Sequence, residues 1–112
     1  MKTSYFAKVK SLYGKNLVSI ALKTPPNFRG QSYDPLAPTW EMLNGLKYEG
    51  KSEKWYIEQY QTILDKLKPE NVINKLGEDA ILCCWEGKDE FCHRHLVAEW
   101  FIKADYSISE LE

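Results

Sequence analysis

The chain has 112 residues, 44% of them hydrophobic and 13% aromatic, enough for one domain with one core and too apolar for a disordered chain. Its 15 basic residues face 16 acidic ones, so there is no general electrostatic drive towards nucleic acid or an anionic membrane surface. No apolar stretch approaches the roughly 20 residues of a membrane span, and Met1–Phe6 lacks the apolar run of a secretory signal. Three cysteines, two of them adjacent, make a poor disulfide framework and point to a reducing cytoplasm.

In chain order, Thr3 to Phe6 is a short β-prone start, and Ala7 to Tyr13 gives one or two helical turns stopped by Gly14. Leu17 to Leu22 reads as a buried strand, ended by Thr24-Pro25-Pro26, which cannot continue a sheet interior. Residues 25 to 38 form a long connection rich in Pro, Gly and Asn, the kind of loop that often carries function. Thr39 caps a short helix carrying Trp40, Met42 and Leu43, with Gly45 past its end. Ser52 caps the best helix, Glu53 to Leu67, whose Tyr56, Tyr60, Ile63, Leu64 and Leu67 share one stripe. Pro69 starts another helix with Val72, Ile73 and Leu76 inside and Gly77 at the stop. Asp79 to Trp85 is the second strand, and Arg94 to Lys103 the last helix. Strands alternating with helices predict a single α/β domain over residues 1–112, a three-layer sandwich with a small parallel or mixed β-sheet flanked by helices.

The chemistry concentrates at Cys92-His93-Arg94, where a strand hands over to a helix. Open α/β sheets place ligands there, beyond the carboxyl ends of strands and against helix N-termini. On a helical wheel Leu96, Val97, Trp100 and Phe101 define the buried face. His93 lies on that face one turn earlier, Arg94 flanks it, and His95 points away. Cys92 falls at the N-cap or first helical position, where the unpaired N–H groups favour a thiolate or a bound phosphate. With Glu86 across the loop, the set offers thiolate, imidazole acid/base, guanidinium clamp and orienting carboxylate. The competing reading makes Cys92 an apolar cap, pairs Arg94 with Glu86 or Asp89, and gives His93 a core hydrogen bond.

No Gly-rich cradle separates Cys92 from Arg94, so no phosphatase or P-loop pattern is present. Zinc is disfavoured. Cys83 and Cys84 point to opposite faces of their strand, His93 and His95 diverge on the helix, and no pair has structural-zinc spacing. Cys83 and Cys84 are read as small buried hydrophobes, and no metal or other cofactor is expected. The four tryptophans are assigned to core packing, with Trp85 and Trp100 in core patterns.

Leu82-Cys83-Cys84-Trp85-Glu86, a short loop, and Phe91-Cys92-His93-Arg94-His95-Leu96-Val97-Ala98-Glu99-Trp100 resemble the C-terminal hallmark of domain-of-unknown-function family 488. In that hallmark an apolar strand ends in Cys-x-Glu and Cys-His-Arg opens a helix. Thr3-Ser4-Tyr5-Phe6 resembles the family's first strand, Tyr56 and Tyr60 its tyrosine-bearing helix, and Pro25, Gly30, Tyr33 and Leu36-Ala37-Pro38 a short clostridial and phage-like branch. The resemblance implies an α/β three-layer sandwich with Cys-His-Arg at the sheet's carboxyl edge. It carries the family positions onto Cys84, Glu86, Cys92, His93 and Arg94. Where many members have Asp-x-Arg after the first long strand, this chain has Ser19-Ile20-Ala21-Leu22-Lys23, leaving Lys23 or Arg29 to substitute.

The combined expectation is a small cytoplasmic enzyme acting on a nucleotide or other phosphate-bearing small molecule. Cys92, His93 and Glu86 would do the chemistry, and Arg94, Thr3, Ser4, Lys23 and Arg29 would hold the ligand. The alternative is a non-catalytic module that binds a nucleotide or nucleic-acid end. A small anionic ligand is the expected partner, with no membrane and no general nucleic-acid binding; the oligomeric state is left open.

Overall fold

The computed structural model describes residues 1–87 and 89–112. Its five strands are β1 (Lys2–Tyr5), β2 (Leu17–Ser19), β3 (Gln31–Ser32), β4 (Ile81–Cys84) and β5 (Ser109–Glu110). They form one sheet in the order β3-β2-β4-β1-β5, and every pairing is parallel. The helices are α1 (Phe6–Val9), α2 (Trp40–Tyr48), α3 (Glu53–Leu64), α4 (Pro69–Leu76) and α5 (His93–Lys103), with a 3₁₀ turn at Asp34–Leu36.

The strand order explains how the helices are shared between the two faces. Parallel crossovers are right-handed, so connections that run in opposite directions along a sheet lie on opposite faces. From β1 to β2 and on to β3 the chain moves one way. From β3 to β4 and on to β5 it moves the other way. The second set carries α2, α3, α4 and α5, so one face is thickly covered. Val18, Ile20 and Leu82 meet Tyr56, Tyr60, Leu64, Val72, Leu76, Val97 and Phe101 there. The first set carries only α1 and the following loop, so Leu17, Ile81 and Cys83 on the other face are covered by Phe6, Val9, Leu12 and Phe28. The flanked parallel sheet is the expected architecture, with one thin outer layer.

Several boundaries differ from expectation. Helix α1 ends at Val9, well short of Tyr13, and β2 ends at Ser19, although the Ile20 N–H still donates to the Cys83 carbonyl. Gly45 lies inside α2 rather than past its end. A Cβ there would meet Cη2 of Trp55 at 2.6 Å, so this glycine is the notch that lets α3 pack close. The long connection contains β3, and the C-terminal segment supplies β5. Gly30 allows the first of these, since a Cβ would collide with the Leu17 carbonyl. All strands point the same way, so Tyr5, Ser19 and Cys84 end at one edge, where α5 begins.

Candidate functional site

Cys92 is the N-cap of α5, with extended backbone (φ −152°, ψ 145°), and its side chain makes no capping bond. Helix α5 starts at His93, one residue earlier than the hydrophobic pattern places it. His93 is buried, and its Nε2 lies 2.6 Å from the Ile20 carbonyl at the end of β2. A carbonyl only accepts, so Nε2 carries the ring proton and Nδ1 keeps its lone pair. Nδ1 lies 3.6 Å from Cys92 Sγ. Burial above all, helped by the Arg94 and His95 charges and opposed by the Ile20 bond, brings the His93 pKa down to about 4. The imidazole is therefore neutral at pH 7.

Cys84 ends β4 on the thickly covered face, and Cys83 faces the opposite side. The structure joins Cys84 to Cys92 sulfur to sulfur, a pairing the odd cysteine count argues against. Their Cα atoms stand 7.5 Å apart, wider than the roughly 7 Å beyond which a disulfide needs backbone movement. One ligand-type atom each from Cys84, Cys92 and His93 lie within 4.8 Å of one another, and all three residues are buried. Sequence spacing gives no hint of this cluster, because the two cysteines stand eight positions apart in the chain. Burial pushes the Cys83 thiol up to about 12, which makes it inert at neutral pH.

Arg94 is fully buried and all five of its N–H donors are used within the chain. Nε and Nη2 donate to the two carboxylate oxygens of Glu110 at 3.1 and 2.8 Å. Nη1 donates to Cys84 Sγ at 2.9 Å and to the Glu86 carbonyl at 2.6 Å, and Nη2 also to the Gly87 carbonyl at 3.0 Å. The expected clamp on an outside anion is thereby corrected: no donor remains for one. Arg94 ties β4, its following loop and β5 together. The competing reading named the right role but the wrong carboxylate, since Glu86 contributes its carbonyl and Glu110 the charge. Burial alone would raise the Glu110 pKa, but bonds from Arg94 and Thr3 and the Arg94 charge hold it below the usual value.

The remaining expected residues divide. Thr3 Oγ1 donates to Glu110 Oε1 at 2.5 Å, which makes it part of the Arg94 brace. Ser4 lies on the opposite face, fully buried, with its Oγ unpartnered among the described residues. Arg29 is exposed, with its guanidinium 4.6 Å over the Tyr13 ring. It borders an apolar groove of about 290 Å³ on the thin face, lined by Phe6, Phe28 and Trp85 among others. Thr3, Ser4 and Arg29 therefore do not join the site. Lys23, Glu86 and His93 do: with Cys84, Leu22, Lys47, Trp40 and Trp85 they line a cleft of about 190 Å³ beyond the carboxyl ends of β2 and β4. Cys92 is buried and is not among the residues that line the cleft.

The apolar groove is larger, but the cleft holds the imidazole and a sulfur, so the chemistry belongs to the cleft. Composition pointed away from two of its walls. Trp40 is 58% and Trp85 55% exposed, which corrects the assignment of these tryptophans to the core. Trp85 Nε1 donates to the Lys23 carbonyl at 2.8 Å, and its ring meets Phe6 edge-on at 4.9 Å. Its position just past the end of β4 was the available signal. Tyr60 packs its ring 5.4 Å from His93 and donates to the Leu36 carbonyl at 2.6 Å. Burial, then the Glu86 carboxylate, pushes the Tyr56 hydroxyl up beyond the range of acid/base use near neutral pH. Among the described residues, no helix is long and apolar enough to cross a membrane.

Compared with protein-family models, curated proteins and solved structures, the chain matches none.

Proposed function

We propose that the cleft is the active site of a cytoplasmic enzyme acting on a small phosphate-bearing molecule that also carries a flat ring. The observation that carries this reading is the meeting, in one cleft, of reactive groups with binding groups. His93 and Cys84, whose thiol is freed when its bond to Cys92 is reduced, line the cleft with Lys23, Lys47, Trp40 and Trp85. The lysines replace Arg94 as the source of positive charge, and a tryptophan face suits a nucleobase or similar ring. At about 190 Å³ the cleft is smaller than the roughly 300 Å³ at which drug-sized sites begin. It admits a ring or a phosphate group rather than a whole dinucleotide, so the rest of the ligand would lie over the exposed tryptophans. The reading keeps the resemblance to domain-of-unknown-function family 488 as its working frame, with the Cys-His-Arg segment at the reactive end and Arg94 as a brace.

Thermal shift against a panel of mononucleotides and inorganic phosphate tests it, using wild type and the double variant Lys23→Ala/Lys47→Ala. Stabilisation of wild type that the double variant loses is the expected result. A panel that stabilises neither protein, or both equally, would remove the anion site. Turnover of a stabilising nucleotide then separates an enzyme from a binding module.

A further inference from the structure

We infer that, with both thiols reduced, Cys84, Cys92 and His93 form a three-ligand site for a zinc-type d¹⁰ cation, with its fourth position open to the cleft. The three donors come from two elements that the fold holds in register: the last residue of β4 and the first turn of α5. Two sulfurs and an imidazole nitrogen are the donor set zinc prefers over harder divalent ions.

The first support is the His93 ring. Zinc-bound histidines ordinarily give their other N–H to a carbonyl or carboxylate, which fixes the ring. Here Nε2–H donates to Ile20, and Nδ1 faces the sulfurs. The second is spacing. Tetrahedral zinc with bonds of about 2.3 Å to sulfur sets two ligand sulfurs about 3.8 Å apart. The Cα separation of 7.5 Å leaves room for the sulfurs to part that far by side-chain rotation. The Cys92 Sγ to Nδ1 distance of 3.6 Å already suits two ligands of one ion. The third is charge. Two thiolates would neutralise a divalent ion, while the neighbouring Arg94 is balanced by Glu110 and gives Cys84 Sγ an N–H bond. The fourth is access, because Cys84 and His93 both line the cleft. Three protein ligands with one open position is the arrangement of catalytic rather than structural zinc.

The inference concerns the cleft floor but does not depend on what the cleft binds, so metal alone tests it. Reduced protein, kept anaerobic, is titrated with Co(II) and then with Zn(II). A sulfur-to-cobalt charge-transfer band with strong tetrahedral visible bands, saturating at one ion per chain and erased by Zn(II), is expected. Cys83→Ala should keep the spectrum, and Cys84→Ser and Cys92→Ser should lose the charge-transfer intensity in steps, with circular dichroism confirming that each variant is folded. His93→Gln, which can still donate to Ile20, should weaken Co(II) binding at least tenfold. Reduced wild type that shows three titratable thiols yet no cobalt band would overturn the site. So would a band that survives in both cysteine variants.

Discussion

The two faces of the sheet carry similar residues to different ends. Cys83 and Cys84 are chain neighbours, both fully buried, and the pleat sends them to opposite sides. On the thin face Cys83 donates to the Ile81 carbonyl and sits among Phe6, Val9 and Leu17, a thiol held protonated by burial. On the thick face Cys84 meets a guanidinium, a second sulfur and an imidazole. Burial is equal, so the difference comes from what the crossover helix delivers. Helix α5 brings Cys92, His93 and Arg94 to one side only.

The largest effect that can break this comparison is at Arg94. Arg94→Met would leave Glu110 as a part-buried charge without its partner and strip the Glu86 and Gly87 carbonyls of their donor. Removing one member of such a pair costs roughly 3–5 kcal/mol. Urea denaturation should therefore find the variant barely folded or unfolded, whereas Arg29→Met, on the exposed thin-face rim, should fall within about 0.5 kcal/mol of wild type. Equal stability of the two variants would mean that the thick face is not braced by Arg94.

Next comes pH. His93 has a folded pKa of about 4, below the ordinary 6.5. Below pH 6.5 the unfolded chain takes up a proton that the folded chain refuses, so stability falls as pH drops from 6.5 towards 4. The full loss is about 3 kcal/mol, at about 1.4 kcal/mol per pKa unit. Glu110 is shifted down as well, so its contribution is intact above the ordinary carboxylate pKa and is lost only at more acid pH. Chemical denaturation across this range should show the upper limb vanish in His93→Gln while the lower limb survives. A flat profile above pH 5 in wild type would contradict the buried neutral imidazole.

These effects separate what a linear sequence reveals from what it hides. The Leu17–Ser19 and Ile81–Cys84 strands and the Tyr56/Tyr60/Leu64 stripe were legible because apolar periodicity reports burial directly. Strands β3 and β5 were not, because each has two residues and no alternation to read. Losing β5 hid Glu110, and with it the reason Arg94 is buried. The sulfur–imidazole cluster was hidden for a related cause. Parallel register and the return of a loop fix the approach of Cys84 to Cys92, and neither follows from ligand spacing. Trp85 read as core because it continues an apolar run, yet it stands one residue past the last ladder pair, Tyr5 with Cys84.

A smaller effect sharpens the contrast between the adjacent cysteines. In reduced, chelator-treated protein, Cys84 should alkylate well before Cys83, since it borders the cleft and accepts an N–H from Arg94. Cys92, buried at the N-cap of α5 and not among the residues that line the cleft, should react after Cys84. Mass-mapped iodoacetamide labelling gives the order, and Cys83 reacting first would undo the two-face argument.

The smallest expected effect on stability separates the two tryptophans of the cleft. Trp40 opens α2 with its ring exposed, and the Thr39 side chain rather than the indole caps that helix by accepting from the Met42 N–H. Trp40→Ala should therefore change stability by no more than about 0.5 kcal/mol. Trp85 is nearly as exposed but also bonds the Lys23 carbonyl and packs on Phe6, so Trp85→Ala should cost about 1–2 kcal/mol, the scale of one lost hydrogen bond and one aromatic contact. If the cleft holds a flat ring against these walls, Trp40→Ala should weaken a stabilising mononucleotide by about 1–3 kcal/mol, the scale of one stacked base. A substitution that leaves folding alone while loosening the ligand has only recognition left to explain it. Unchanged affinity in Trp40→Ala would confine any ring to the Trp85 side, and unchanged affinity in both variants would leave the lysines as the cleft's only means of recognition.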